Sequence, residues 1–172
     1  MFLRSLISIK KPTSILEIGT AVGYSAACFA EKGKGCSVTS IELDERMVKR
    51  AVQNLNDLNL SERVTVIEGD AEAVIREQLS SCTFDFVFID ASKSHYKRFF
   101  DASKAVCTDD ALIISDNVLL NGGTASDSYV SCRRNMTHAR NMRKYVAYIT
   151  SLNDVDTSIL PIGSGIAVTV RI

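Results

Sequence analysis

The residues best suited to chemistry in this sequence follow two apolar segments. Asp90 comes directly after residues 84–89, and Asp116 and Asn117 come directly after residues 111–115. Adjacent parallel strands lie about 4.8 Å apart, so side chains at two neighbouring strand tips can share one ion. Two carboxylates and an amide carbonyl form an all-oxygen ligand set that suits Mg²⁺, Mn²⁺ or Ca²⁺. The alternative is that these residues only cap the loops after the strands.

Lys93 lies three residues after Asp90, within the segment Asp-Ala-Ser-Lys. A lysine beside a bound cation can act as a base, so Lys93 is the candidate catalytic residue. The alternative is an ordinary exposed loop lysine. His95 and His138 have no partner visible in the sequence, and both are interpreted as structural or surface residues.

A glycine loop, Gly19-Thr-Ala-Val-Gly23, lies between an apolar strand and a predicted helix. A strand, a tight turn and a helix N-terminus together form a natural site for anions and nucleotides. The dinucleotide pattern G-x-G-x-x-G needs a glycine where Ala21 stands, because the backbone must approach a pyrophosphate closely. The loop therefore favours a ligand without a pyrophosphate over NAD. The alternative is a turn that merely requires glycine.

Two further acidic residues end the second and third predicted strands. Glu42 stands where a carboxylate can accept hydrogen bonds from both ribose hydroxyls of an adenosine ligand. Asp70, in the segment Gly69-Asp70-Ala71, can cap the next helix and can also face the adenine edge. The alternative for Glu42 is a solvated residue at a strand end. Together these positions predict a nucleoside-like ligand at the strand tips.

Strands and helices alternate along the chain, which predicts an α/β fold with a Rossmann-like, doubly wound sheet of seven strands. The sheet is expected to be mostly parallel, with an antiparallel C-terminal hairpin, because the last connection is very short. No linker or repeat interrupts the pattern, so residues 1–172 are predicted to form a single domain. The predicted strands are 15–18, 37–43, 64–68, 84–89, 111–115, 157–160 and 166–171. The predicted helices are 2–9, 24–31, one capped by Asp44 and reaching Leu58, 71–79, 96–106 and 131–151.

The composition limits the classes of partner. The chain has 172 residues, with 20 basic and 20 acidic side chains, so its overall charge gives no attraction to nucleic acids or anionic membranes. Five cysteines without a C-x-x-C pair indicate reduced thiols, mostly in the core, and a cytoplasmic location. No apolar run approaches the length of a membrane span, and the N-terminus lacks the features of a signal peptide.

Four segments together resemble the metal-dependent O-methyltransferase family, which includes catechol and caffeoyl-CoA methyltransferases. They are Ile-Leu-Glu-Ile-Gly-Thr-Ala-Val-Gly-Tyr-Ser, Phe-Ile-Asp-Ala-Ser-Lys, Ile-Ile-Ser-Asp-Asn-Val-Leu and Leu-Pro-Ile-Gly-Ser-Gly-Ile-Ala. The match runs over nearly the whole chain. It is closest to the bacterial branch that methylates 5-hydroxyuridine in tRNA.

The resemblance implies an enzyme that transfers a methyl group from S-adenosylmethionine (SAM) to an oxygen, together with a bound Mg²⁺ and a homodimeric assembly. It implies roles for residues along the strand tips as follows: Gly19 and Ser25 at the methionine end of SAM, Glu42 at the ribose, Asp70 and Ala71 at the adenine, Asp90 at both cofactor and metal, Asp116 and Asn117 at the metal, and Lys93 as the base.

The chain departs from the family pattern at two places. Family members usually begin several dozen residues earlier, with helices that cover SAM, so the chain is expected to be N-terminally shortened. The final turn has Gly-Ser-Gly, where the tRNA branch commonly has Gly-Asp-Gly. A hypothesis of another class therefore stays open, namely a shortened, inactive module that binds SAM or dimerises.

The acceptor depends on the surface, because a catechol and 5-hydroxyuridine both offer two neighbouring oxygens to a metal. On the last long helix, Arg133, Arg140 and Lys144 fall within one narrow arc at 100° per residue. One hypothesis is a strip that contacts the phosphates of a tRNA stem-loop. The other is an ordinary solvated face, with a small catechol or caffeoyl-CoA-type acceptor.

Overall fold

The computed structural model describes residues 2–130 and 133–172, without the side chains of residues 133 and 134. The strands are β1 (Ser14–Ile18), β2 (Ser37–Glu42), β3 (Val64–Glu68), β4 (Phe84–Ile89), β5 (Cys107–Asp116), β6 (Val155–Leu160) and β7 (Ile166–Arg171). The α-helices are α1 (Phe2–Lys10), α2 (Tyr24–Lys32), α3 (Glu45–Asp57), α4 (Ala71–Gln78), α5 (Tyr96–Ala105) and α6 (Arg133–Thr150). Two short 3₁₀ turns, Leu120–Gly122 and Asp127–Tyr129, precede α6.

The seven strands form one sheet in the order β3-β2-β1-β4-β5-β7-β6. Strands β1 to β5 are parallel to their neighbours, whereas β7 runs antiparallel to both β5 and β6. The predicted fold class is therefore confirmed. The strand order reverses between β1 and β4, and in open α/β sheets ligands bind in the crevice beyond the strand ends at such a switch point.

Both faces of the sheet are covered, which explains why the central strands are continuous apolar runs. Helices α1, α2 and α3 cover one face, where the ring of Phe29 packs against Phe86 and Phe88. Helices α4, α5 and α6 cover the other face, where Phe100 packs edge-on against Tyr145. The predicted inward face of α6 is confirmed, because Ala139, Met142 and Ile149 are buried and Val146 packs against the core.

Helix α1 packs against the sheet rather than projecting from it. Ile7 is buried, and Leu3 and Leu6 are half-buried against the same core. The Lys10 ammonium forms an ion pair with Asp110 at 2.6 Å, which ties the end of the helix to β5. Ile7 is therefore covered within one chain, and the homodimer stays a prediction.

Two strands extend further than their sequences indicate. Strand β5 begins at Cys107 rather than Ala111, because Cys107 pairs with Phe84 across a register shift, and the exposed Asp109 and Asp110 hide that extension in the sequence. Strand β6 begins at Val155, which pairs with Arg171. The other boundaries of the described elements match the predictions within about one residue. The predicted first residue of α6, Ser131, lies outside the described residues.

The described cysteines divide by exposure. Cys36 and Cys107 are buried, as expected of core residues, whereas Cys28 is half-buried and Cys82 is exposed. Cys132 lies outside the described residues. Within residues 2–130 and 133–172, no helix is both long and apolar enough to cross a membrane.

Candidate functional site

Gly19 allows the tips of β1 and β4 to pass close to each other. Its φ is +100°, and its backbone amide donates to the carbonyl of Ile41 at 2.9 Å. A Cβ atom at this position would lie 2.1 Å from the carbonyl oxygen of Asp90. Only glycine combines this φ with this approach, so the glycine loop is a requirement of the crevice itself.

Glu42 holds the glycine loop through its carboxylate. One oxygen accepts the Ala21 amide at 2.8 Å, and the other accepts the amides of Leu43 and Asp44 at 2.8 and 3.0 Å. Ala21 has a φ of +47°, a conformation that non-glycine residues rarely adopt. The carboxylate therefore fixes the loop, and its remaining lone pairs are available to hydroxyl donors.

A cavity of about 490 Å³ lies over the tips of β1, β2 and β3. Glu42, Asp70 and Ala71 line it together with Asp90, as the sequence predicts for the ribose and adenine end of a nucleoside ligand. Asp70 also caps α4, because its carboxylate accepts the Ala73 amide at 3.2 Å. Both roles foreseen for Asp70 are thus compatible with its position.

A second cavity of about 650 Å³ lies on the other side of the glycine loop. Gly19 and Ser25 line it, and so do Asp90, Asp116 and Asn117. The two cavities share Gly19 and Asp90. The structure therefore brings all of the predicted cofactor residues to one continuous crevice along the strand tips.

Glu17 lies beneath this crevice, and sequence reasoning missed it because it sits inside an apolar strand. It is fully buried, and its carboxylate accepts a hydrogen bond from Ser40, whose hydroxyl pairs with Thr20 at 2.5 Å. Burial raises the pKa of Glu17 to about 7, against the lowering effect of hydrogen bonds from Ser25 and Ser40. Its other oxygen has no partner in the described part of the chain.

The two predicted metal-binding carboxylates lie close enough to influence each other. Partial burial raises the pKa of Asp116, and the negative charge of Asp90 adds to this, while the backbone amide of Asn117 and the charge of Lys93 oppose it. The Asn117 amide nitrogen donates to Asp90 Oδ1 at 3.1 Å. Asn117 has a φ of +59°, which turns its side chain back toward β4.

This donor set fits a hard divalent cation in its chemistry. Among the described residues no three His, Cys, Asp or Glu side chains come together, so the donor set at these tips consists of the two carboxylates of Asp90 and Asp116 with the Asn117 amide. Mg²⁺ commonly keeps several waters and takes only one or two carboxylates from the protein. An ion at this position would need the Asn117 amide to turn its oxygen toward Asp90.

Lys93 lies beside Asp90, as its spacing predicts. Its Nζ lies 3.2 Å from Asp90 Oδ1 and donates to the hydroxyl of Tyr96 at 2.5 Å. Tyr96 is buried, and burial, followed by the charges of Asp90 and Asp116, raises its pKa well above the ordinary value. Tyr96 is a second residue that the sequence does not reveal, because an aromatic residue at the start of a helix is typical of a core position.

A third cavity of about 610 Å³ opens on the far side of Lys93 and Asn117. The 3₁₀ turns supply Asn121 and Tyr129 to its wall, and α6 supplies His138. The Nδ1 atom of His138 is buried without a hydrogen-bond partner in the described part of the chain. Neither this position nor that of His95, which lines the cavity beside Asp70, is visible in the sequence.

The wall of this third cavity depends on α6. Arg143 donates to the carbonyls of Thr124 and Gly123 at 2.9 and 2.8 Å, and it forms an ion pair with Asp127 at 2.5 Å. Arg140 and Lys144 instead are exposed. The side chain of Arg133, the third member of the predicted strip, lies outside the described part.

A family model described as O-methyltransferase matches residues 1–172. The chain belongs to the O-methyltransferase family. Solved relatives have the same fold. One is a Staphylococcus aureus protein provisionally described as a caffeoyl-CoA O-methyltransferase, which is 31% identical to this chain. The two structures match with a TM-score of 0.92 over 99% of this chain and 81% of that one. An O-methyltransferase from Bacillus cereus, solved in complex with S-adenosylhomocysteine (SAH), is 29% identical, with a TM-score of 0.87 over 99% of this chain and 79% of that one.

Among curated relatives, the catechol O-methyltransferase of Niastella koreensis is 26% identical over 162 residues, which are 92% of this chain and 71% of that protein. The chain spans between 60% and 75% of the length of six curated relatives that it matches. Membership of the O-methyltransferase family confirms the predicted enzyme class and the dependence of that class on SAM. The metal, the acceptor and the roles of individual residues stay proposals.

Proposed function

We propose that the chain transfers the methyl group of SAM to a hydroxyl that has a neighbouring oxygen, with a divalent cation at Asp90, Asp116 and Asn117. The observation that carries this proposal is the arrangement of the three cavities. The two cofactor cavities share Asp90, and Asn117 lines both the second and the third. A cofactor and an acceptor bound in these cavities would therefore meet at the same two strand tips.

SAM would lie across the glycine loop. Glu42 would accept the ribose hydroxyls, Asp70 and Ala71 would border the adenine, and Gly19 and Ser25 would border the methionine end. The SAH complex of the Bacillus cereus relative supports a ligand of this shape. The cavities of about 490 and 650 Å³ lie within the size range of small-molecule sites.

A divalent cation, when bound, would lower the pKa of an acceptor hydroxyl and fix its position. Residues of the chain would balance the charge of the cation and position the acceptor. Asp90 and Asp116 would balance the positive charge, and the narrow space between their strand tips would hold the acceptor oxygen near the SAM methyl group. Holding two reactants in near-attack geometry contributes on the order of several kcal/mol to a barrier reduction.

The transfer itself is a displacement at the methyl carbon. The acceptor oxygen forms a bond to that carbon while the bond from carbon to sulfur breaks, and its electrons stay on the sulfur of SAH. The hydroxyl proton passes to Lys93 or to solvent, and a Lys93 that keeps its own proton stabilises the oxyanion instead. Lys93 Nζ lies 3.2 Å from Asp90 Oδ1, so either role would be carried out beside the proposed metal site.

A small aromatic acceptor of the catechol type suits the third cavity best. Its described lining contains no acidic residue, and its basic residues are Lys93 and His138. Tyr129 and Leu120 provide apolar contact, while Asn121 and His138 provide polar atoms. The catechol O-methyltransferase among the relatives supports an acceptor of this class.

The test is transfer of labelled methyl from SAM to catechol and caffeoyl acceptors with Mg²⁺. We expect transfer by the unchanged protein and a loss of at least about 100-fold in Asp116→Ala, with the SAM dissociation constant from calorimetry within about threefold. Asp109→Ala is the matched control, because Asp109 is an exposed residue of the same strand. Equal transfer by Asp116→Ala in the presence of EDTA would exclude the metal. Absence of heat with SAM, with and without Mg²⁺, would favour an inactive module.

Methylation of 5-hydroxyuridine in tRNA is the second candidate, and the exposure of Arg140 and Lys144 favours it. No ion pair within the described residues engages either side chain. Phosphate contacts would make tRNA binding weaken steeply with salt. We expect Arg140→Glu with Lys144→Glu to weaken tRNA binding by at least about tenfold without changing SAM affinity. Unchanged binding in that variant would eliminate the tRNA hypothesis.

A further inference from the structure

The hydroxyl of Tyr96 joins the lysine that handles the proton to the tip of β5. Tyr96 is only 1% exposed. Its hydroxyl accepts a hydrogen bond from Lys93 Nζ at 2.5 Å and donates one to the backbone carbonyl of Asp116 at 2.9 Å. One buried hydroxyl therefore connects the loop after β4 with the strand tip that carries Asp116 and Asn117.

Three contacts determine where the Lys93 ammonium lies. They are the Tyr96 hydroxyl at 2.5 Å, Asp90 Oδ1 at 3.2 Å and the face of the Tyr96 ring, whose centroid lies 4.6 Å from Nζ. A separate small cavity of about 170 Å³ is also lined by Lys93, together with Tyr96 and Lys144 among others. Without the hydroxyl, the flexible lysine chain is free to turn into this cavity.

We propose that Tyr96 is a positioning residue that holds the Lys93 ammonium at the junction of the cofactor and acceptor cavities. This inference rests on the proposed function, in which Lys93 handles the proton of the acceptor. Tyr96 does not line any of the three large cavities in the described structure. It therefore acts through Lys93 and not by contact with SAM or the acceptor.

Tyr96→Phe tests this proposal, because it removes one oxygen and keeps the ring. Tyr145→Phe is the matched control: Tyr145 is also buried, its ring packs edge-on against Tyr96 at 5.3 Å, and its hydroxyl pairs with Ser115 at 2.6 Å. We expect Tyr96→Phe to lower kcat at least about tenfold while KM and SAM affinity change less than about twofold. Tyr145→Phe should leave kcat within about twofold of the unchanged protein.

A double-mutant cycle separates positioning from a general structural effect. In a Lys93→Met background, Tyr96→Phe should cause no further loss of kcat, because the group that it positions is absent. An equal loss in both backgrounds would overturn the proposal. So would an equal loss of kcat in Tyr96→Phe and Tyr145→Phe.

A measurement without acceptor keeps the proposal testable even if no acceptor is found. The rate at which N-hydroxysuccinimidyl acetate acetylates Lys93 can be followed by peptide mass spectrometry, with the exposed Lys34 as an internal reference. We expect a rise of at least about threefold in Tyr96→Phe and none in Tyr145→Phe, since a released amine is more accessible. Equal rates in the three proteins would refute the inference. Faster labelling with no methyl transfer by any protein would refute the proposed function instead.

Discussion

The proposed cofactor side and the proposed acceptor side of this site are built in different ways. On the cofactor side, Gly19, Glu42 and Asp90 each stand at the end of a parallel strand, and the sheet alone brings them together. On the acceptor side, contacts from distant elements position the loop after β5. Leu119 donates its amide to the carbonyl of Ser164, and Arg143 holds the carbonyls of Gly123 and Thr124.

The difference shows which changes each side can tolerate. A substitution at Gly19 acts on the backbone where the tips of β1 and β4 approach each other, so binding and folding should fail together. A substitution on the acceptor side removes a tie between a loop and a helix, so binding should weaken while the sheet stays intact. The following predictions test that contrast.

The largest effect is expected at the glycine loop. Gly19→Ala should destabilise the protein by at least about 3 kcal/mol and abolish SAM binding, because its Cβ would lie 2.1 Å from the Asp90 carbonyl oxygen. Gly35→Ala, in the loop between α2 and β2, also has a positive φ but meets nothing within 4 Å, and it should cost about 1 kcal/mol. Urea unfolding and calorimetry with SAM measure both quantities. Similar losses in the two variants would remove the contrast.

The buried carboxyl under the glycine loop should make stability depend on pH. The pKa of Glu17 is about 7 in the folded protein, above the ordinary value of 4.5. The native state therefore holds the proton more tightly, and the resulting stability is fully present below about pH 4.5 and is lost as the pH rises through about 7. The gap between the two pKa values corresponds to about 3 kcal/mol.

The free energy of unfolding, measured with urea, should thus fall between about pH 5 and about pH 8.5. This fall should be up to about 3 kcal/mol larger in the unchanged protein than in Glu17→Gln. Glu77→Gln is the control, because Glu77 is an exposed residue of α4. It should follow the unchanged protein at both pH values. Parallel pH profiles for the unchanged protein and Glu17→Gln would show that folding does not raise the pKa of this carboxyl.

The smallest effect is expected on the acceptor side. Arg143→Met removes the ion pair with Asp127 and two hydrogen bonds to loop carbonyls. The acceptor KM should rise about tenfold, or about 1.4 kcal/mol, with SAM affinity unchanged. Arg140→Met removes an exposed arginine of the same helix and should change neither constant for a small acceptor. Weaker SAM binding in Arg143→Met would mean that the two sides are coupled.

The same contrast explains how much the sequence alone could predict. Asp90, Asp116 and Asn117 follow apolar runs, so strand periodicity locates them, and the geometry of parallel sheets brings them together. The same reasoning locates Glu42 and Asp70. The parallel sheet and the antiparallel hairpin follow from the alternation of elements and from the shortness of the last turn, whereas only the structure shows the strand order.

Other residues of the site leave no trace in a one-dimensional pattern. Glu17 lies inside an apolar strand, and Tyr96 looks like any aromatic residue that begins a core-facing helix. Arg143 is one of several basic residues on α6, and only the fold shows that it holds a loop while Arg140 faces solvent. Each of these roles includes a partner between 19 and 23 residues away, and local periodicity carries no information about such pairs.

The antiparallel strand β7 has a consequence for how this scaffold can be altered. Because β7 returns against β5, and Asp116 pairs with Ile166, the turn between β6 and β7 emerges at the same edge as the site. Ser164 in this turn lines both the second and the third cavity. Strands β6 and β7 anchor the two ends of the turn. Residues inserted there would therefore lie beside the cavity in which the acceptor is proposed to bind. This turn is thus the natural place to lengthen the chain when redesigning acceptor preference.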